Sequence, residues 1–414
     1  MDFKDKTDRE NERAEGKAKT NRDFGKGVVA GLAAAALIAV CIWGTRSILG
    51  SFSGGFGSES ISKADAEKKL DTIDALIDRY YLYGDEIDSD ALVEGIYSGY
   101  AEALGDPYTE YYDEEESQAL LESTSGEFSG IGVTMSQGAD GTVTAVNIYE
   151  DSPADKAGMK AGDILLRVDG KDIQGENLNT VVSYVKGEKG TEVDLTVLRD
   201  GEEVELTAVR DTIEVQTVEY EMMEGQIGYI SVSEFDEVTY EQFSTALNDL
   251  ESQDMKGLVI DVRNNPGGNV ETVTDMLKLL LPEGPIMSTK DKEGNTEEIT
   301  CDGAHEFKKP LAVLVNGNSA SASEIFSGAI QDYGIGTIVG TTTYGKGVVQ
   351  QLIGLGDGTY LKLTIAEYYT PSGRSINGTG VTPDVEVEYE YDENDPEADN
   401  QLEKALETVE GQLN

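Results

Sequence analysis

The chain has 414 residues, two cysteines, one histidine and a formal net charge of −48. At ~150 residues per domain that allows two to three globular units, large enough to bury cores without a disulfide scaffold. A lone histidine excludes a multi-His metal site, and a pI near 4.1 argues against nucleic acid as a partner, since phosphate binding wants a basic stripe.

The charge is unevenly placed. Residues 1–50 hold nine Lys/Arg against seven Asp/Glu, so the remainder carries 23 against 73, or −50. Such a surface is solvated and self-repelling, which favours solubility. Between Lys26 and Arg46 runs the apolar segment GVVAGLAAAALIAVCIWG, residues 27–44. Its eighteen residues at ~1.5 Å each make about 27 Å, just enough to cross a hydrocarbon core of ~30 Å. The polar residues 1–26 include Lys17, Lys19, Arg22 and Lys26, so the positive-inside rule leaves them in the cytoplasm and puts everything after residue 45 outside. Trp43 falls where an interfacial anchor belongs. A cleaved signal peptide fits less well, because the leader is long and no Ala-x-Ala site follows. A lipid-modified Cys41 also fits less well, with the bulky Val40 before it. The expectation is an uncleaved, single-pass signal anchor in the cell membrane. Cys301 is then the one cysteine outside, and no intrachain disulfide is expected. Residues 45–60, ending in SFSGGFGSES, read as a flexible linker.

Residues 61–116 read as a helical region. Leu70, Ile73, Ile77 and Tyr80 fall at helical spacing within 62–82, as do Leu92, Ile96, Tyr100 and Leu104 within 89–104. Gly105 suits a C-cap, and Pro107 prevents continuation. Whether these helices pair in a homodimer stays open at this level.

From 117 to 209 the pattern changes to short alternating strands around a helix. SGIGVTM (129–135) and TVTAVNI (142–148) are strands. SPADKAGMKAGDILLRVDGKDI (152–173) holds a short helix, a strand and turns at Gly162-Asp163 and Asp169-Gly170. ENLNTVVSYVKG (176–187) is a helix, and 191–210 a hairpin turning at Asp200-Gly201. This order resembles PDZ domains. A loop such as Gly130-Ile131-Gly132-Val133 can present backbone N–H groups to a peptide's terminal carboxylate, while the peptide adds as a strand beside the 176–186 helix.

Residues 210–390 alternate strand and helix. Strands are expected at 226–235, 257–265, 310–321, 337–342, 348–355 and 360–369, and helices at 239–252, 270–281 and 321–333. This is an α/β core of ββα-type units. GTTTYGKG (340–347) mimics a phosphate-binding loop, but Gly347 stands where a Mg²⁺-binding Ser/Thr belongs and β-rich sequence follows. NSASASE (318–324) lies where a buried strand turns into a helix, and a serine there is served by free N–H groups and a positive dipole end. That suits a nucleophile beside an oxyanion hole. Ser321-x-x-Glu324 equally fits a capping box, and the stretch alone does not choose.

Together with DVRNNPGG (261–268), TTTYGKGVVQ (341–350), YYTPSGRSI (368–376), GVTPDVEV (380–387) and GDPYTEYY (105–112), this serine segment resembles the carboxyl-terminal processing peptidases of serine-protease family S41. The similarity runs in one order from about residue 65 to 388. It implies an S41 core with an inserted PDZ-like β/α domain and an N-terminal helical segment, to which the apolar run at 27–44 adds one transmembrane helix. It implies a Ser-Lys endopeptidase whose nucleophile is Ser321, whose general base is Lys346 and whose third member, Gln350, orients the lysine. The oxyanion donors are then the amides of Ala322 and of a glycine of NNPGG, Gly267 ahead of Gly268, with Ser319 and Ser323 as neighbours and Glu324 as a cap. No metal or organic cofactor is implied, and the partners are proteins or peptides with exposed C-termini.

A Ser-Lys pair makes sense of the single histidine. Lysine is a base only when neutral, and its reference pKa of ~10.4 must be lowered by apolar burial. In a chain this acidic, no Asp or Glu is therefore expected to pair with Lys346 in the active form, and a buried carboxylate partner there would count against the base assignment. In a straight strand Lys346 and Gln350 lie ~13 Å apart, so contact requires a bend that Gly345 and Gly347 permit. The family often has Arg-Gly where this chain has Lys186-Gly187, and lysine lacks arginine's planar fork for relaying peptide binding. His305 reads as a solvent-facing loop residue, and residues 391–414 as an acidic tail with a short helix. Two rivals are a hydrolase of a non-peptide acyl group and a PDZ scaffold with a purely structural core.

Overall fold

The computed structural model describes residues 62–413 except 393, 396 and 397. The expected anchor at 27–44, the tail before it and the linker after it lie outside the described residues. Among the described residues, no helix is long and apolar enough to cross a membrane.

Two units form. The smaller comprises residues 62–117 and 350–364, and the larger 118–349 with 365 onward. In the smaller unit, α1 (Lys63–Tyr80) starts at Ser62, whose hydroxyl accepts from the Asp65 amide. Helix α2 (Ser89–Glu102) starts at Asp88, whose carboxylate accepts from Asp90 and Ala91. Both helices lie where periodicity placed them, yet α1 buries no residue and α2 buries Ala101. β1 (Glu110–Tyr112) pairs antiparallel with residues 360–362.

Helix α3 (Glu114–Ser125) carries the chain into the larger unit. The PDZ-like pattern expected from residue 117 therefore begins only after this helix. The signal was present: Asp113 and Glu116 exchange reciprocal amide–carboxylate bonds, and Gly126 in the left-handed region (φ 70°) ends the helix.

The first layer of the larger unit contains β2 (Glu127–Gly130), β3 (Val133–Gln137), β4 (Val143–Ile148), the single turn α4 (Pro153–Lys156), β5 (Ile164–Val168) and β6 (Lys171–Asp172). It continues with α5 (Leu178–Val185), the hairpin β7 (Glu192–Arg199) and β8 (Glu202–Val209), and β9 (Asp211–Glu214). The sheet order is β3-β4-β5-β7-β8, with β6 on β5, while β2 and β9 pair separately. The hairpin turns at Asp200-Gly201 with both φ positive (53° and 87°), the twist that a two-residue connection favours. Val143, Leu165, Val181, Val193 and Val197 form its core.

The rest is an α/β layer. β10 (Val218–Met223), β11 (Ile227–Val232), α6 (Thr239–Ser252), β12 (Gly257–Asp261) and α7 (Val270–Lys278) come first. A hairpin follows, β13 (Gly284–Asp291) and β14 (Thr296–Cys301), which the sequence reading lacks. Then come β15 (Leu311–Val315), α8 (Ala322–Tyr333), β16 (Thr337–Gly340), β17 (Val348–Gly354), β18 (Tyr360–Tyr369), β19 (Val385–Glu386) and α9 (Asn400–Leu413). The main sheet runs β10-β11-β12-β15-β16-β19. All neighbours after β10 are parallel. Strands β12 and β15 are buried at every residue, as expected of a parallel sheet covered on both faces.

The C-terminal segment is part of this core. Ala405 and Val409 of α9 are fully buried against Ile227, Val259, Ala312, Leu314 and Val339. Gly257 makes room, since a Cβ there would lie 2.3 Å from Val409 Cγ1. Arg263 anchors the helix start through Asp399 (2.7 Å) and Gln401 (3.0 Å). The expected tail with a short helix is in fact a 14-residue structural helix.

Candidate active site

In an open parallel sheet, functional loops gather beyond the carboxyl ends of the strands. Here three neighbouring strands, β12, β15 and β16, each deliver one loop there. Gly267 follows β12, Ser321 follows β15 and Lys346 follows β16. Adjacency in the sheet thus supplies what 79 residues of chain separation between Gly267 and Lys346 does not.

The three serines of SASAS have different fates. Ser319 donates its hydroxyl to the Val262 carbonyl (2.7 Å), and Ser323 donates to the Asn265 carbonyl (2.9 Å). Both bonds tie the serine segment to the β12 loop. Ser321 is 1 % exposed and its Oγ is without a hydrogen-bond partner. Its backbone is strained, with φ 54° and ψ −109°, a region that non-glycine residues seldom adopt. It stands immediately before α8, whose first amide is that of Ala322. The hydroxyl therefore caps nothing, and the capping-box reading survives only in its other half: Glu324 accepts from the Ser321 amide (2.9 Å).

Glu324 does far more than cap. Its buried carboxylate also accepts from Thr343 Oγ1 (2.5 Å), Gly345 N (2.7 Å) and Lys346 N (2.9 Å). Burial pushes its pKa up, and the four donors pull against that shift. A carboxylate does meet Lys346, at the main-chain amide. On the opposite side, the buried Tyr368 hydroxyl donates to the carbonyls of both Ser321 (3.0 Å) and Lys346 (2.8 Å).

Lys346 is 3 % exposed, which is the burial a lysine base requires. The loop takes a left-handed turn at Gly345 (φ 92°), just before the lysine. Gly347 serves a different need: a Cβ there would lie 2.6 Å from the Asn377 amide, so glycine admits the 377–380 segment. Gln350 is buried in β17 and donates to Thr364 Oγ1 (3.1 Å).

The β12 loop reaches the serine closely. A Cβ on Gly267 (φ 114°) would lie 2.9 Å from Ser321 Cβ and 3.1 Å from Ala322 N. The Gly267 amide, however, donates to Asn265 Oδ1 (2.8 Å). In this structure the oxyanion expectation therefore rests on Ala322. Asn264, Asn316 and Asn318 join the two loops further out, with the Asn264 amide carbonyl accepting from both other side chains (2.9 and 3.0 Å).

The peptide-binding expectation also acquires a shape. A cavity of about 200 Å³ lies between β3 and α5, lined by Ile131, Val133, Met135, Val182 and Val185, with Gly130 and Gly132 at its loop. Because β3 is an edge strand, its outer hydrogen-bonding side is available to an added strand. Lys186 stands at the cavity and pairs with Glu122 of α3 (2.7 Å).

Comparison with known proteins gives this geometry a lineage. Residues 226–387 match the model of peptidase family S41, and residues 144–199 that of the PDZ domain. The carboxy-terminal processing proteases CtpA and CtpB of Bacillus subtilis are 35% and 34% identical. The alignments cover 86% and 79% of this chain, and 74% and 70% of those proteins. The chain belongs to peptidase family S41. It is a serine-type peptidase of the carboxy-terminal processing kind, with a PDZ domain. A Bartonella bacilliformis carboxy-terminal-processing protease is 40% identical over 64% of this chain, which spans 63% of that protein's length. The solved photosystem II D1 C-terminal processing protease aligns at 30% identity with a TM-score of 0.44, covering 72% of this chain and 82% of its own.

Within this S41 peptidase the loop 341–347 leads into strand β17, not into a helix, as its departure from a phosphate-binding loop suggested. His305 is an exposed loop residue. Two residues at the site went unassigned in the sequence. For Glu324 the sequence shows only a capping spacing, and Tyr368 carries no sign, because its partners are carbonyls 47 and 22 residues away.

Proposed function

We propose that this chain is a membrane-anchored serine endopeptidase acting outside the cytoplasmic membrane, with residues 27–44 as its anchor. The PDZ domain captures an exposed substrate C-terminus, and Ser321 and Lys346 cleave the chain. The observation that supports this most strongly is the Ser321 hydroxyl: unlike its two neighbours it is unpartnered, and it sits on a strained turn at a helix N-terminus.

In this reading the neutral Lys346 amine takes the Ser321 proton as Oγ attacks the scissile carbonyl. The Ala322 amide stabilises the oxyanion, joined by Gly267 once its amide leaves Asn265. Lysine then returns the proton to the departing amine, and water attacks the acyl-enzyme to release the second product. Gln350, by its place in the family pattern, orients the lysine. The apolar groove suits a peptide with an apolar last residue, added as a strand on β3. The largely exposed α1 and α2 leave a homodimer through this region as part of the proposal.

The test is the full chain with an unstructured peptide bearing a free apolar C-terminus. Cleavage that disappears in Ser321→Ala and in Lys346→Ala supports the enzyme, whereas binding without cleavage by the intact chain supports a scaffold. Amidating the peptide's terminus should weaken capture, and unchanged binding would sink the carboxylate-loop part. Selective protease digestion of sealed vesicles carrying the chain tests which side of the membrane holds the catalytic part.

A further inference from the structure

Ser321 and Lys346 come from segments 25 residues apart, yet a Ser-Lys pair works only if Oγ and Nζ keep hydrogen-bond reach through the reaction. Their main chains are held in common from two sides. On the amide side, one oxygen of Glu324 accepts from both Ser321 N and Lys346 N, each at 2.9 Å. On the carbonyl side, the single hydroxyl of Tyr368 lies 3.0 Å from Ser321 O and 2.8 Å from Lys346 O. Glu324 belongs to the same helix start as Ser321. Tyr368 comes from a third segment, β18, and its own amide donates to Gly347 O (3.1 Å), so it is fixed to the lysine loop before its side chain reaches the serine.

We infer that Tyr368 is a positioning residue for the peptidase reaction: its hydroxyl sets the register between the nucleophile and its base. This rests on the Ser321/Lys346 reading above. The strained Ser321 peptide is the reason such a clamp matters. A residue at φ 54°, ψ −109° relaxes toward an ordinary conformation unless its surroundings over-determine it. A bond to its carbonyl is one such restraint. The Ser321 carbonyl also accepts from the Glu324 and Ile325 amides (2.9 Å each), so losing the tyrosine does not free the helix start but unties it from the Lys346 carbonyl, and Oγ can then shift relative to Lys346. A displacement of 1 Å at the reacting atoms costs ~10²-fold. None of the clamp residues lines the groove where the substrate terminus docks.

Tyr368→Phe removes the hydroxyl and keeps the ring. The expected result in the full chain is a kcat on the same peptide lowered ~30-fold, with KM within about twofold. A fluorophosphonate probe should label the same final fraction of Ser321, but more slowly by a similar factor. A merely structural role would instead reduce the labelled fraction and leave the rate unchanged. Restoring a donor with 4-aminophenylalanine at position 368 should recover most of the lost kcat. Tyr369→Phe, which removes a hydroxyl bonded to Glu367, should leave kcat unchanged. A Tyr368→Phe enzyme with wild-type kcat and labelling rate overturns the inference. Should Tyr368→Phe not fold, the 4-aminophenylalanine chain decides: near wild-type kcat supports the clamp, and a folded chain tenfold or more slower contradicts it. Ser321→Ala and Lys346→Ala, run in parallel, separate the two layers. If those variants retain cleavage, the dyad itself is wrong, whereas their loss beside a normal Tyr368→Phe removes only the clamp.

Discussion

The two sites that the proposed function assigns to substrate are built on opposite principles. Around Ser321 nearly every main-chain polar group is tied: Glu324 takes four donors, Tyr368 serves two carbonyls, and Ser319 and Ser323 stitch one loop to the next. One reactive atom, Ser321 Oγ, is left out. The PDZ groove is the reverse, an apolar slot beside an edge strand whose outer side is unpaired within its sheet. The first is largely preorganised, with the Gly267 amide on Asn265 as the one donor that must be released, and the second is left incomplete so that a peptide strand completes it. Turnover and capture should therefore fail separately.

The largest effect tests that separation directly. Ser321→Ala and Lys346→Ala should each lower kcat by ~10³-fold or more while peptide affinity, read by calorimetry, stays within about twofold. Loss of binding in either variant would join the two regions. Next, Glu324→Ala strands three buried amides and a hydroxyl, each worth ~1–3 kcal/mol. It should destabilise the chain by about 4 kcal/mol in urea unfolding and also abolish turnover. Tolerance of that change would show that the hub holds nothing in place. On the groove side, Val182→Asp places a charge in the apolar slot and should raise KM ~10-fold with kcat at saturation unchanged.

The smallest effect concerns pH. Asp236 is buried, one of its oxygens has no partner, and burial, with Glu234 and Glu237 nearby, pushes its pKa up to about 8. Unfolded, it titrates near ~3.9. Between those values the folded chain holds a proton that the unfolded chain has released, so stability falls as pH rises from about 4 to about 8. Asp236→Asn should flatten this slope and gain ~2 kcal/mol at pH 8. An unchanged pH–stability curve would remove Asp236 from the account.

How much of this was legible in the sequence depended on where a residue's partners lie. Helix α6 and strand β18 stand at their expected bounds, because their apolar periods and turn residues are local. The β13–β14 hairpin was invisible because β14 is largely solvent-facing and the charged stretch KDKEGNTEE (290–298) through the turn carries no alternating apolar signal. Helix α9 shows its stripe in Leu402, Ala405, Leu406 and Val409, yet nothing local says that Gly257, far upstream, leaves the gap it fills. At the site, the family resemblance singled out Ser321 and Lys346, whereas the capping-or-nucleophile ambiguity of the stretch itself depends on hydrogen bonds that the sequence does not display. Tyr368 acts through main-chain carbonyls of distant residues, which no sequence pattern displays.

The central claim is that Ser321, activated by Lys346, is the nucleophile. Mapping a fluorophosphonate adduct by peptide mass spectrometry, in the full chain and in Lys346→Ala, tests it most directly. The account predicts an adduct on Ser321 that forms in the intact chain and is essentially absent in Lys346→Ala. An adduct on Ser319 or Ser323, or equal labelling of Ser321 without the lysine, would contradict it.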